Sequence, residues 1–450
     1  MADSAFGVFF RKLAITNRMA SGMGKKILVW FRNDLRLHDN EMLVEAIAKA
    51  DEILPVYVFD PRHFEQTQYH TYKTGAVRTK FLIESVASLQ QSLQAIGGNL
   101  LVLHGYPEEV LPALVVKQDV TEVYHHREVA SEETAVSLRL EDALWKQKVN
   151  LKHFIGHTLY NKEDLPFPIK DIPDVFTQFK KKTERDAVVK PCFPTPAAIN
   201  FASIEDWGAI PEISELLQDE TAAVLKIQSE FVGGEKEALV HLHGYLHAGE
   251  GMILANATLK KHEIVSKLSA WLALGCLSPR EVYWKMKDAE ASYGVKPYFH
   301  QIVLGLLWRD YYRFMFKKYG NTFFKPQGFK KDGEPLQMEN TLALQNWKDG
   351  QTGQPLIDAF MLELNTTGYI NQVARQLVAT YLVKELEVNW VLGAAYFEEQ
   401  LLDYAPASNW GNWAAIAGVG NDQKLSNSFD FEKLLKILDP KGVFAPVVRA

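Results

Sequence analysis

The stretch KILVWF, Lys26–Phe31, carries one charge, at its first position, and then five apolar residues without alternation. A strand with one face in water alternates polar and apolar side chains. A continuous aliphatic and aromatic run belongs to a strand covered on both faces, as in a parallel sheet. Working outward, ILPVYVF (Ile53–Phe59), LLVLHGY (Leu100–Tyr106) and EVYHHREV (Glu122–Val129) share this grammar. Between them NEMLVEAIAKA (Asn40–Ala50), RTKFLIESVASLQQSLQAIG (Arg78–Gly97) and PEEVLPALVVKQ (Pro107–Gln118) repeat at helical spacing. Strands alternating with helices predict an α/β domain with a parallel, Rossmann-like sheet over residues 25–160.

The grammar changes after that. Over residues 161–205 the periodicity fades into PFPIKDIPD, KKKTERD and KPCFPTP, which reads as a linker on the surface, with Lys180, Lys181 and Lys182 solvated. From residue 206 to 450 the chain reads as helix with glycine and proline punctuation, an all-α domain holding seven of the ten tryptophans from Trp271 onward. Such a load fills a bulky core or encloses a large planar ligand, and composition does not separate the two. Residues 1–24 hold Arg11, Lys12 and Arg18 against the single acid Asp3, a balance shared with transit peptides; they read as a tail ahead of the first strand.

At 450 residues two or three domains are expected. A charged fraction of 23% and an apolar fraction of 47% fit a soluble globular protein, and no apolar run reaches the roughly 18 residues that span a membrane. Two cysteines, Cys192 and Cys276, exclude a disulfide scaffold and fit a reducing compartment, so a cytoplasmic protein is expected; a monomer is expected as well. The net charge of −6 gives no support for wholesale nucleic-acid binding.

Few segments carry chemistry by spacing alone. His243 and His247, with His241 nearby, share a helix face at zinc spacing, but no acid or thiol stands at a matching position, and no metal site is expected. The first strand leads into RNDLRLHDN without a Gly-x-Gly, which argues against a dinucleotide fingerprint. Ser266, Lys267, Leu268 and Ser269 are either a phosphate-binding turn or a helix cap. Trp390 and Trp413 are either core or electron carriers. In VLGLLWRDYYRFMF (Val303–Phe316) an apolar helical stripe is accompanied by Arg309, Asp310 and Arg313, and interrupted by Gly305. A glycine there costs roughly 1 kcal/mol relative to alanine, so its presence asks for a reason.

Six ordered segments, VWFRNDLRLHDNEML, WLALGCLSPREVYW, LLWRDYYRF, GQTGQPLIDAFM, NTTGYINQVARQLVATYLVKEL and LLDYAPASNWGNWAAIAGVGND, resemble the landmarks of the cryptochrome/photolyase family, most closely its DASH branch, over about residues 26–440. The resemblance implies an α/β antenna domain joined by a long linker to a helical domain that holds FAD, with blue-light photochemistry. By position it implies that Ser266, Lys267, Leu268 and Ser269 form the FAD phosphate turn, with Val265 in place of the family's threonine. It makes Arg375 and Asp403 the ion pair beside the flavin ring, and Asn409 the residue facing it. Trp308 becomes part of the flavin pocket's wall. Trp413 and Trp390 become the inner and middle electron carriers, with Tyr404 or Trp410 standing in for an outermost member. Glu128 matches a folate-contacting glutamate, which implies methenyltetrahydrofolate as antenna.

The departures from the family pattern concern the lesion-facing side. Gly305 replaces a glutamate, Gln372 and Val373 replace an Asn-Arg pair, and Ala415 replaces an aromatic. Ala405 replaces a second acid, and the tyrosine expected upstream of the phosphate turn is missing from GMILANATLKKHEIV. Three readings follow: a photoreducible flavoprotein with little or no dimer repair, a photolyase acting on cyclobutane dimers in single strands, and a binding module without flavin. The expected partners are weakly bound DNA or RNA and a signalling protein, without membrane association.

Overall fold

The computed structural model describes residues 24–217, 228–255, 266–295, 297–330 and 341–441. The tail expected over residues 1–24 lies outside them but for Gly24, as do Val265 and most of GMILANATLKKHEIV.

Strands β1 (Lys26–Phe31), β2 (Glu52–Phe59), β3 (Leu101–His104), β4 (Glu122–His126) and β5 (Asn150–Phe154) form one sheet in the order β3-β2-β1-β4-β5. All pairs are parallel, with Ile27 opposite both Ile53 and Glu122. Helices α1 (Glu41–Lys49), α2 (Ala76–Ala95), α3 (Pro107–Lys117) and α4 (Ser131–Lys146) lie between the strands in sequence. Asn40 starts α1 by accepting from Leu43 N, the cap its side chain suits. Alternate residues of β1 serve two cores. Leu28 and Trp30 pack with Leu111, Leu140 and Leu144 under α3 and α4, whereas Ile27, Val29 and Phe31 join a core that continues into the helical half. The sheet is therefore buried on both faces, as its apolar runs require.

The linker is more structured than its composition suggests. Phe176–Asp186 forms α5, burying Phe176, Phe179 and Thr183 at helical spacing, while Lys181 and Lys182 stay exposed and Lys180 pairs with Glu184 at 2.6 Å. Farther on, Phe201 bridges to Ile53, so the chain returns to the sheet before entering the helical half.

That half contains α6 (Glu235–Ala255), α7 (Pro279–Tyr293), α8 (Pro297–Tyr319), α9 (Pro355–Thr367), α10 (Gln372–Thr380), α11 (Trp390–Gln400) and α12 (Pro406–Ile416). Two glycines set the packing of α12. A Cβ on Gly411 would lie 2.3 Å from the Tyr312 ring, and one on Gly393 would lie 2.4 Å from the Trp413 ring. Both sit in regular helix and are needed for close approach. Among the described residues no helix is long and apolar enough to cross a membrane.

The RNDLRLHDN loop is the joint between the halves. Arg36, fully buried, donates to four backbone carbonyls, two of its own loop and those of Gly156 and Gly275. His38 Nε2 accepts from Ser278 N, so its Nδ1–H donates to Glu235 at 2.5 Å. Asp39 takes a two-pronged bond from Arg280. The polar residues of α8 belong to the same joint. Asp310 accepts from Leu159 N and Tyr160 N, and burial pushes its carboxyl up to about 7.

Glu128 also lies in this seam. Its carboxylate accepts from Asn33 at 3.0 Å and from Arg313 Nη2 at 2.8 Å, with His157 Nε2 at 3.3 Å. Burial opposes its charge, but His157, Arg313 and Arg32 outweigh that and hold it well below the usual carboxylate range. A depressed folded value means stability that is full above about pH 4.5 and lost as pH falls below it. Glu128→Gln is expected to cost roughly 3–5 kcal/mol at pH 7, because Arg313 loses its buried partner. Urea unfolding at pH 7 and pH 4 should show the gap to wild type narrowing in acid.

Candidate functional site

A cleft opens between α10, α11 and α12. Gln372, Arg375, Asp403, Asn409 and Trp413 all line it, together with Tyr404, Ala405 and Asn412. The elements place them by simple periodicity. Gln372, Arg375, Gln376 and Ala379 form one stripe of α10, and Asn409, Asn412, Trp413 and Ile416 one stripe of α12.

Arg375 Nη2 donates to Asp403 Oδ2 at 2.9 Å, and its Nε donates to Ile370 O at 2.8 Å. Burial works against the guanidinium charge, and Asp403 more than offsets it, so Arg375 stays firmly cationic. The other carboxylate oxygen, Asp403 Oδ1, is buried and has no partner within the protein. A buried acceptor of this kind calls for a donor, which a ring N–H of a flavin would supply. Asn409 Nδ2 is engaged by Ala394 O at 3.0 Å, which leaves Oδ1 as its polar atom for the cleft.

The turn at Ser266–Ser269 connects to this pair. Tyr369, whose phenol senses the Ser269 side chain, lies beneath the Arg375 guanidinium, 5.2 Å from ring to Cζ. Lys267 adopts φ +54°, is ion-paired with Glu230 and approaches the Phe231 ring. His241 Nε2–H donates to Ser266 O at 2.8 Å, so its role is to hold that backbone. His243 and His247 stack on each other, and among the described residues no group of metal-binding side chains occurs.

Trp413 packs against Phe397 and Trp347, with ring centroids 5.1 and 6.3 Å away. Trp390 contacts Trp410 at 5.9 Å, and Trp410 Nε1 donates to Tyr404 Oη at 3.1 Å. Trp410 thus bridges Tyr404, which lines the cleft, and Trp390. Trp347, Glu398 and the Arg78 guanidinium over the Tyr404 ring went unnoticed in the sequence. None of them stands at a distinctive spacing.

Trp308, Gly305, Ala415 and Val373 are not among the residues that line the cleft. Trp308 is stacked on Phe176 of α5 at 3.5 Å and on Tyr312 at 5.6 Å, away from the lining. Gly305 is exposed on α8, with nothing within 4 Å of the place its Cβ would occupy. Ala415 is buried beside Gly420, because two residues along a helix turn it about 200° from Trp413. Val373 likewise packs against the core, one position off the Gln372 stripe. Of the positions expected to face the lesion, Gln372 lines this cleft.

Such a cleft, with a buried ion pair that keeps one acceptor oxygen open and indoles behind its wall, defines a flavin-binding protein. The comparisons make this specific. The model of the DNA photolyase domain matches residues 27–197, and that of the FAD binding domain of DNA photolyase matches residues 302–446. Cryptochrome DASH of Gloeobacter violaceus is 40% identical over 430 residues, which cover 93% of this chain and 84% of that one. The crystal structure of Synechocystis cryptochrome superposes with a TM-score of 0.86 at 39% identity, covering 94% of this chain and 88% of the other. An archaeal photolyase from Sulfolobus tokodaii, described with two FAD molecules, gives a TM-score of 0.74 at 27% identity, with 93% and 89% covered. The chain belongs to the cryptochrome/photolyase family, with DASH cryptochromes among its relatives, and its cofactor is FAD.

Asp403→Ala is expected to release FAD and destabilise the fold. It leaves the Arg375 guanidinium enclosed without its anion, a loss on the order of 3–5 kcal/mol. Flavin absorbance of the purified variant and its urea midpoint measure the two effects.

Proposed function

We propose that this protein is a blue-light-responsive flavoprotein, photoreduced through its own tryptophans, with little or no dimer repair. The observation that carries the reading is Trp413, buried at the wall of the cleft that Arg375 and Asp403 also line. Bound FAD supplies a chromophore that absorbs blue light and becomes a strong one-electron oxidant. Arg375 would provide fixed positive charge beside the flavin, and Asp403 Oδ1 would accept a hydrogen bond from it. Asn409 offers a neutral amide rather than an acid at the same wall. Trp413 is the electron donor in contact with the cleft. The Tyr404–Trp410–Trp390 contacts give a second aromatic file leading away from it.

Weak repair is supported by Gly305, which presents no side chain on α8. The alternative, a photolyase for cyclobutane dimers, is favoured by Gln372 alone, an amide at the rim of the cleft. The test is anaerobic blue-light illumination of purified protein with and without a thymine-dimer oligonucleotide. Bleaching of the flavin bands without dimer loss is expected, and efficient dimer loss would favour the alternative. The folate antenna rests on Glu128, whose carboxylate the structure already commits to Asn33 and Arg313. Weak DNA or RNA contact, a signalling partner and a cytoplasmic, monomeric state remain parts of this proposal.

A further inference from the structure

A short hairpin of the α/β domain lies against the aromatic wall behind the cleft. Gln66 and Tyr72 bridge antiparallel, Thr67 N donates to Thr71 O at 2.7 Å, and His70 turns the chain at φ +55°. Two bonds dock the hairpin on the end of α11: Tyr72 N donates to Glu399 Oε2 at 2.9 Å, and Gly75 N donates to Glu399 O at 3.0 Å. A Cβ on Gly75 would lie 2.8 Å from that carbonyl oxygen, so the close approach requires glycine. At the tip stands Tyr69. Its N–H donates to Thr67 Oγ1 at 3.2 Å. Its ring lies 6.4 Å from that of Trp410, within the roughly 4.5–7 Å of paired aromatics. Tyr69 is half-buried between Gln68 and His70, which are exposed, so the aromatic file reaches water here.

Trp410 is the hub of that file. It is buried, and among the described residues the rings about it are Trp390 at 5.9 Å, Phe324 at 5.1 Å, Tyr69 and the hydrogen-bonded Tyr404. These rings answer differently to the loss of an electron. Phe324 gives one up far less readily than an indole does. Trp390 is buried with its N–H bound to Pro326 O, so a radical cation there keeps its proton and its charge. Tyr404 carries Arg78 Cζ 4.6 Å from its ring centre, held by bonds to Lys73 O and Thr74 Oγ1. A cation is drawn to the electron-rich face of an intact ring and repels one that has given up an electron. Among the described residues Tyr69 has no cation over its ring, and it stands where water can take its proton.

We propose that Tyr69 is the solvent-facing end of the electron path, the residue on which the oxidising equivalent comes to rest when the flavin is photoreduced. The occasion is the photoreduction proposed above, on which this assignment rests. Trp410 stands one turn before Trp413 on α12, a spacing that sets Cβ atoms about 5–6 Å apart. Once Trp413 has given up an electron, Trp410 restores it, and Tyr69 in turn restores the electron to Trp410. The O–H bond of Tyr69 breaks, its proton goes to water, and a neutral tyrosyl radical remains. In sum Tyr69 is oxidised by one electron and the flavin is reduced by one. Loss of the proton makes the last move downhill and slows the electron's return.

The test is flash illumination of the FAD-loaded protein, followed by transient absorption and electron paramagnetic resonance. Wild type should pass from an indole radical to a tyrosyl radical whose hyperfine lines narrow when its tyrosines are ring-deuterated. Deuterium oxide should slow that passage, because an O–H bond breaks in it. Tyr69→Phe should keep the FAD content and still form the indole radical, but lose the tyrosyl signal and shorten the life of the separated charges several-fold. Tyr69→Trp should restore the lifetime with an indole signature in place of the tyrosyl one, which a merely structural role for the ring would not produce. A tyrosyl signal that survives in Tyr69→Phe overturns the assignment, as does bleaching of the wild type without any tyrosyl signal. Both results leave photoreduction through tryptophan standing. A wild type that does not bleach at all overturns the photoreduction reading and this assignment together.

Discussion

Trp413→Phe is expected to leave FAD bound and to abolish nearly all photoreduction under blue light. The indole is 2% exposed, lies on Gly393 and touches Phe397 and Trp347, so a phenyl ring keeps most of the packing. The cost to stability should stay well below the 3–5 kcal/mol of truncating such a residue to alanine. What is lost is the oxidisable ring at the cleft, since phenylalanine gives up an electron far less readily. Trp390→Phe should slow the reaction without stopping it. Trp390 reaches the cleft through Trp410 and Tyr404, and removing a distant member shortens the separation of charge rather than preventing it. Initial bleaching rates under anaerobic illumination distinguish the two variants. If both bleach like wild type, the electrons come from elsewhere, and Trp347 is the next donor to replace.

Much of this could be read from the residues because each signal had one physical cause. KILVWF, ILPVYVF and most of LLVLHGY are continuous apolar runs because the sheet is covered on both faces, and these and EVYHHREV became strands. β5, NLKHF, lies at the sheet edge with only Leu151 and Phe154 buried, so no such run marked it. The linker helix was hidden for a different reason. Phe176, Phe179 and Thr183 have the right spacing, but lysines and nearby prolines masked a stripe only three residues long.

The site divides in the same way. Arg375, Asp403, Asn409 and Trp413 lie on motif segments whose helical phase brings them to one cleft. Ala415 and Trp308 share those segments but not the phase, and a motif read as a string does not say which side of the helix a residue takes.

Dimer repair by the unmodified protein should be very weak, and Gly305→Glu should raise it. Repair requires the damaged bases to be flipped out and held by hydrogen bonds to their edges. The family's glutamate at this position supplies such a group, and its loss resembles removal of one well-placed donor, worth about 10²–10³ in rate in other enzymes. The helix can accept the side chain: Gly305 is exposed, and the space about its Cβ position is open. Replacing a helical glycine should also stabilise α8 by up to roughly 1 kcal/mol, which separates a gain in repair from any damage to the fold. Ala415 is a poor site for the complementary change, since it is buried beside Gly420 and an indole there would displace that turn. The measurement is loss of dimers from a thymine-dimer oligonucleotide per photon absorbed, with flavin fully reduced beforehand. Efficient repair by the wild type would show that Gln372 or another group at the cleft does the work of the missing acid. No gain on Gly305→Glu, with the helix stabilised as expected, would mean that the exposed face of α8 is not where the lesion docks.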